Sequence, residues 1–563
     1  MPLVVLLLLL LALAPAAAAQ IPQEPDPDPA PAFTGEPWAA KPVFVPAAPR
    51  HPFMAPNQRS NLHADAHQTD VNAWSGPLGR ETETLSRYEA PGGVCGSVTF
   101  NSKGQIVTTC IQLRAVRMKL LDPRTLEELA SIELPPRSPS LNPFQDFAGG
   151  GYFYLDNDRA VIPTTDRHIL VIALEDGEFV IERDYDLNGP VPADAKIISA
   201  LPDWDGLLWF ATTAGIIGTV DPDGGAIETM DLGEVVQNSF AVGEDGGVYI
   251  VSELALYRFD AGPGGVPQVS WREVYENTGE LKPGQVSAGS GTTPTLHGDD
   301  WVSITDNADP VNVVVYRRGL DVTGEREVCR QAVFEAGRSS TDNSLIAAGN
   351  SIIVENNHGY TGPTATTGSA HTEPGIERVD IDAHGRRCRR VWHSDEASPS
   401  VVPKLSLANG LVYVYTQDES DGDDPWYLTA LDFRTGETVW KSLTGQGLGF
   451  NNNYAPVTIG PDGTAYVGVL GGLTLVRDRE APPQGVETRP RIKLNARRRG
   501  KRVRFRATAP SGGVVAPVRG ARIKAGKRRT RTNAKGRASL KIAKGRAIAK
   551  KRGYRKGSRK VPR

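Results

Sequence analysis

The chain of 563 residues has no G-x-S-x-G, no P-loop, no H-E-x-x-H and no dinucleotide fingerprint. The enzyme classes that those short motifs mark therefore leave no trace in it. Cysteine is scarce, at four residues, with no C-x-x-C and no Cys/His cluster of zinc spacing. No long segment of 3.6-residue period stands out, which argues against a helical architecture. Beyond the N-terminus no run is apolar and long enough to span a bilayer. From 488 to 563 there is no Asp or Glu at all.

Glycine (59) and proline (43) are abundant, which favours many short strands joined by turns. The formal net charge of −2 hides a split. Residues 488–563 carry 30 Lys and Arg, whereas residues 1–487 carry 33 basic and all 65 acidic residues. An acidic body of −32 is joined to a basic region of +30. The start, MPLVVLLLLLLALAPAAAAQ, is an apolar run followed by Ala17-Ala18-Ala19. It reads as a signal peptide over 1–19, although the usual Lys or Arg beside Met1 is missing. No Cys follows the run until Cys95, so a lipid-modified N-terminus is not expected. The expectation is an exported protein: extracellular, periplasmic or cell-wall associated.

Four cysteines in such a compartment imply two disulfides, with three connectivities open. Cys95 and Cys110 flank Asn101-Ser102-Lys103-Gly104, and a hairpin closed there brings them opposite each other. Cys329 and Cys388 lie in VCRQAVF and RCRRVWH, equivalent places in consecutive repeats. The preferred pairing is 95–110 with 329–388. The alternative leaves some of the four as buried thiols.

Residues 20–60, rich in Pro, Ala and Asp, read as an extended linker with little core-forming potential. The globular body is expected over 61–480. In its opening stretch His63, Asp65 and His67 fall on one side of an extended strand, a side that offers metal ligands. The competing reading is a polar entry segment draped over the body. Units of roughly 40 to 60 residues then begin near Val94, Tyr152, Gly206, Gly246, Asp300, Asn350, Gly410 and Ala455. Each is a series of short alternating strands with Asp-Gly or Gly-rich turns. About four strands at this period mean a β-propeller, in which each sheet buries its faces against its neighbours. The eighth unit is one strand short. A ring must close or leave an exposed edge, and residues 81–88, ETETLSRY, can supply the missing outer strand. The expected fold class is all-β: an eight-bladed propeller, with seven blades as the runner-up, then a small basic β-sandwich.

The fullest unit is the seventh. Residues 428–440, LTALDFRTGETVW, contain Ala430-x-Asp432-x-x-Thr435-Gly436-x-x-x-Trp440. Asp432 can accept from the backbone two residues on, Gly436 can take φ > 0, and Trp440 needs a packed slot. This motif resembles the repeat of the PQQ-type, quinoprotein dehydrogenase-like β-propellers. The resemblance implies that Asp432, Thr435 and Gly436 hold the turn between the two outer strands of a blade, and that Trp440 packs against a neighbouring blade. The first unit keeps Asp122 and Thr125 but has Leu126 for Gly and Ala130 for Trp. The resemblance covers about 81–478 and implies the fold alone. Enzymes of that family set their cofactor against a disulfide between adjacent cysteines, with Ca²⁺ held by carboxylate and Asn. No Cys-Cys pair occurs here, so PQQ is not expected. Non-enzymatic members use the ring as a protein-binding scaffold.

After a linker over 481–487 the basic region alternates at Val503-Phe505-Ala507 and at Ala538-x-Leu540-x-Ile542. It resembles a small Ig-like or carboxypeptidase-regulatory-like β-sandwich over 488–563; a disordered polybasic tail is the alternative. In either form it should bind polyanions, and salt should weaken that binding. The expected partner is an anionic wall polymer, a polysaccharide or a membrane surface. Exported proteins are further candidate partners, nucleic acid is not expected, and the chain should be a monomer.

Propellers bind ligands at or near the central funnel. Four loops are rich in amides and carboxylates. They hold Asp306 and Asn307; Asp342 and Asn343; Glu355, Asn356, Asn357 and Tyr360; and Asn451, Asn453 and Tyr454. Their oxygens suit Ca²⁺, and with Tyr360 and Tyr454 they suit sugar hydroxyls. The competing reading is that they satisfy loop backbone groups. Two hypotheses follow. The first is an exported binding scaffold held at an anionic cell surface by its basic module. The second is a Ca²⁺-dependent hydrolase, lyase or oxidoreductase that uses these loops.

Overall fold

Short runs of Val, Ile, Leu and aromatic residues, punctuated by Asp- and Gly-led turns, form antiparallel meanders of four strands. This computed structural model describes residues 19–23, 30–90, 92–112, 114–137, 143–146, 148–368, 370–418, 424–542 and 544–562. The expected signal peptide lies outside them except for Ala19. Consecutive sheets span 94–134, 154–186, 197–231, 241–274, 295–332 and 346–394, each with its strands paired in chain order. The sheet of 404–446 gains Phe33–Gly35 on its outer edge and Val71–Asn72, in parallel, on its inner edge. In the last sheet Thr82–Tyr88 pairs antiparallel with Gly472–Asp478 and supplies the fourth strand. The first and last parts of the chain are thereby joined, and the sheets form a β-propeller.

Middle strands such as Leu208–Thr212 and Ile216–Val220 are buried throughout, because both faces of each sheet pack on neighbouring sheets. Outer strands alternate or face water, as in Glu178–Asp186. The ladder between third and fourth strands slips at Val171/Ile172, Arg258/Phe259, Val315/Tyr316 and Arg378/Val379. Such bulges increase the local twist that a blade requires.

The motif turn is built as its chemistry suggests. The Arg434 N–H donates to Asp432 Oδ1 at 2.9 Å, and the Gly436 N–H donates to the Asp432 carbonyl at 2.8 Å. Gly436 sits at φ 78°, where a Cβ would also stand 2.5 Å from Trp392. Leu126 keeps the same left-handed conformation, at φ 60°, without a glycine. Trp440 is fully buried, lies 6.2 Å from Phe33, and covers Gly79 just ahead of the closing strand. Trp392 donates to the Phe433 carbonyl of the following sheet at 3.0 Å.

Both disulfides, Cys95–Cys110 and Cys329–Cys388, are present, in the preferred pairing. Cys95 and Cys110 face each other in register. Cys329 and Cys388 join the outer strands of adjacent sheets.

Two N-terminal segments differ from expectation. Within the stretch read as a linker, Val43 and Val45 are buried in the core of the 404–446 sheet. The Lys41 and Val43 N–H groups donate to Asn409 and Leu407. Its prolines keep it extended, but its alternating valines still find apolar surface. The stretch carrying His63, Asp65 and His67 is neither a regular strand nor draped over the outside. Residues 54–72 run through the centre of the ring, in turns. Ala66 accepts from Val242, His67 from Leu296, Thr69 from Ala347, and Asp70 from Leu405. One strand of chain thus caps the inner edges of successive sheets, whose free backbone groups need partners.

The basic region carries eight strands. They form two four-stranded sheets that share a core including Leu494, Val503, Phe505, Ala507, Ile523 and Ala549. It docks on the ring by its loops. The Gly513 N–H donates to Ser351 Oγ at 2.9 Å, Arg519 pairs with Asp300 at 3.0 Å, and Lys551 pairs with Asp299 at 2.6 Å.

Candidate functional site

The loops that precede first strands and those that join second to third strands emerge on one face of the ring. There they enclose a cavity of about 110 Å³. Asp342, Asn343, Asn453 and Tyr454 line it, as their loops led us to expect. Tyr152, Arg137, Asp146 and Asn238 complete it, and Leu62 of the central segment also borders it. Sequence reasoning missed these four. They lie in loops that carry no amide-rich run, and only the ring brings them together.

Asp342 is the central group. It is half-buried, its backbone N–H donates to Asn357 Oδ1 at 2.7 Å, and its carboxyl accepts from the Val286 backbone. Burial pushes this carboxyl up to about 8. At neutral pH it is mostly the neutral acid and can donate a hydrogen bond. The phenols of Tyr152 and Tyr454 lie near enough for its charge to push them up further, beyond the effect of burial.

Glu355, Asn357 and Tyr360 form a support layer rather than the lining. Glu355 Oε1 accepts from Asn343 Nδ2 at 3.1 Å and from Asn357 Nδ2 at 2.8 Å. Burial raises the Glu355 carboxyl well above its ordinary range. Asn356 serves backbone: its side-chain N–H group reaches the Arg338 and Pro374 carbonyls, and its oxygen accepts from the Ser340 N–H. The Tyr360 hydroxyl lies 2.9 Å from Asn451 Oδ1 and 3.0 Å from Asn453 Oδ1, so its one proton ties that loop to its own. Asp306 and Asn307 stand apart from the cavity. Asp306 accepts from the Asn312 backbone at 2.7 Å and side chain at 2.8 Å, and burial pushes it up to about 6. Asn307 donates to Asn277 Oδ1 at 2.9 Å.

These residues therefore divide into a cavity lining and loop supports. Among the described residues, one grouping of three ligand-type His, Cys, Asp or Glu side chains occurs, Glu89 with Cys95 and Cys110. The two sulfurs of that grouping are joined to each other.

His63, Asp65 and His67 also separate. His63 Nδ1 lies 3.0 Å from Asp70, which is paired with Lys404; all three side chains are buried. Asp65 accepts from the Thr69 hydroxyl at 2.6 Å and from the His67 N–H at 3.0 Å. The His67 ring turns away to Glu244, at 2.9 Å, which Arg318 contacts at 2.6 Å. Burial opposes ionisation of Glu244, yet His67 and Arg318 hold its carboxyl below the usual range. These charges fasten the central segment to the ring. At the opposite mouth a larger cavity, about 480 Å³, lies between this segment, Asp299 and Asp300 of the ring, and Arg519, Lys551 and Arg552 of the basic module.

No protein-family profile matches this sequence. It is 29% identical over 311 residues to an uncharacterized protein of Archaeoglobus fulgidus, a match that spans 49% of this chain and 60% of that relative. Among solved structures it is similar to BamB from Moraxella catarrhalis: 14% identity, 68% of this chain and 93% of that one, TM-score 0.38. It is also similar to quinohemoprotein alcohol dehydrogenase from Comamonas testosteroni: 11% identity, 76% and 81%, TM-score 0.48. A europium-containing methanol dehydrogenase gives 11% identity, 73% and 89%, TM-score 0.44. At TM-scores below 0.5 these likenesses carry no functional argument. The propeller rests on the strand pairing itself.

Proposed function

We propose that this chain is an exported β-propeller that serves as a binding scaffold, held at an anionic cell surface by its basic C-terminal module. We read the ring as eight blades and the module as a β-sandwich. The observation that carries the reading is how charge is distributed. The ring buries cations such as Arg258, Arg378 and Lys404 against its own carboxylates, whereas residues 488–563 hold no Asp or Glu. Among the described residues the module's ion pairs, Arg489–Glu487, Arg519–Asp300 and Lys551–Asp299, all use acids from outside 488–563. Exposed cations such as Arg497, Arg504, Arg522 and Arg531 are available to a partner. Two disulfides fit an oxidising compartment. No helix of the described residues is long and apolar enough to cross a membrane. The test is retention of the whole chain on phosphatidylglycerol vesicles, polyphosphate and heparin beads at low salt. Retention on at least one, lost as salt rises, is expected. Failure to bind any of them would sink the reading.

The second reading, a Ca²⁺-dependent enzyme, is favoured by one observation: Asp342, a half-buried acid at the cavity whose charge reaches Tyr152 and Tyr454. Calcium titration with thermal melting tests it. A saturable rise in melting temperature that Asp342→Asn removes would support it, and no response at millimolar calcium would end it.

A further inference from the structure

We infer that the basic module is built to be wrapped by a flexible linear polyanion bearing phosphate or sulfate groups, rather than to lie on a flat membrane. This rests on the proposed anchoring role and specifies its partner.

The argument starts from register. On one sheet, Arg499 stands opposite Arg502, Arg497 opposite Arg504, and Arg506 opposite Arg537. All six are exposed on the face turned away from the core. On the other sheet Arg531, Arg522 and Lys550 form a row across three strands, and Lys524 faces Arg529. These five are exposed as well. Like charges directly opposite each other destabilise a sheet. Alternation would tolerate Thr or Glu at every one of these positions, yet the sequence places cations there. An anion seated between each pair turns the repulsion into attraction.

The spacing fits a polymer. Strands lie about 5 Å apart, and residues on one face repeat about every 7 Å. Each sheet thus presents a grid of charges at intervals that successive groups of a phosphate chain can follow. Residues 488–563 hold 19 Arg against 11 Lys. The guanidinium fork binds tetrahedral oxyanions bidentately, whereas an ammonium binds as a point charge.

The two-sided distribution decides between partners. A membrane can neutralise one face of a two-sheet module and leaves the other exposed. A flexible chain can pass over both. The module meets the ring through its loops, at Gly513, Arg519 and Lys551, so neither sheet face is consumed by docking.

The experiment uses the whole chain and two exposed-residue variants, R497Q/R504Q/R506Q on one face and R522Q/K524Q/R531Q on the other. Binding to long-chain polyphosphate, heparin, phosphatidylglycerol vesicles and double-stranded DNA is measured across a salt series, with circular dichroism and melting temperature as folding controls. Each variant should weaken polyphosphate or heparin binding by about tenfold or more and lower the salt slope by about 2, since each of its three lost contacts to a flexible single chain removes about 0.7 of a released counterion. Vesicles and stiff duplex should bind more weakly than flexible polymer at equal charge. The inference is overturned if one variant removes binding and the other leaves it unchanged, or if vesicles or duplex bind as tightly as the polymers. Polyphosphate against heparin shows whether phosphate or sulfate is preferred. Absence of binding to every probe would instead refute the anchoring role itself.

Discussion

In the ring, Arg258 is buried and held by Asp245 and Asp260, each at 2.8 Å. In the basic module, Arg504 is exposed and faces Arg497 across the ladder. Both regions are antiparallel sheets with alternating apolar residues. In the ring, buried cations such as Arg258 and Lys404 sit against carboxylates, because an unpaired buried ion is strongly destabilising. In the module, water screens the charges and leaves the sequence free to keep one sign. Partnered charge therefore marks structure here, and unpartnered charge marks the surface available to a ligand.

The sharpest way to break this comparison is at the central segment. Asp70→Ala leaves Lys404 buried without its ion-pair partner, and should lower stability by about 3–5 kcal/mol, read as a fall in the urea midpoint. A change below about 1 kcal/mol would mean that water reaches Lys404, and that the ring's buried charges are no different from exposed ones.

A smaller effect is expected from pH, with opposite signs in two parts of the ring. Burial raises the Asp342 carboxyl from 3.8 to about 8. The folded state then binds a proton that the unfolded state releases, so its stability contribution is full below about 4 and is lost as pH rises to about 8. Asp342→Asn should leave melting unchanged near pH 4 and raise it by a few degrees above pH 8. His297, on the other side of the ring, is held down to about 4 by burial. Its contribution is present above 6.5 and lost as pH falls through about 4. A melting profile flat from pH 4 to 9 would contradict both assignments.

The smallest effect belongs to the module. Arg504→Gln removes a cross-strand repulsion and should change stability by no more than about 0.5 kcal/mol, in the stabilising direction. A clear loss of stability would show that Arg504 has a structural partner, and would blur the contrast.

Much of this was legible in the residues. Alternation and Asp-Gly turns marked the strands, the shortfall after Asp478 pointed to the closing strand Thr82–Tyr88, and spacing across a hairpin paired Cys95 with Cys110. The cavity was half legible. Asp342, Asn343, Asn453 and Tyr454 stood out as polar loop residues, whereas Tyr152, Arg137, Asp146 and Asn238 carried no local signal. Asp306 and Asn307 looked the same in sequence, and yet Asp306 braces its own loop and Asn307 ties that loop to Asn277, both away from the cavity. Residue type cannot tell a lining amide from a supporting one.

By itself the sequence determined the strands, their turns and the segregation of charge, because these depend on local periodicity, spacing and composition. Only the tertiary structure decided where residues 54–72 go, which loops converge on Asp342, and that the arginines of the module oppose one another. Those depend on which elements the ring and the sheet register bring together, and that is set by burial over the whole chain rather than by any one stretch of it.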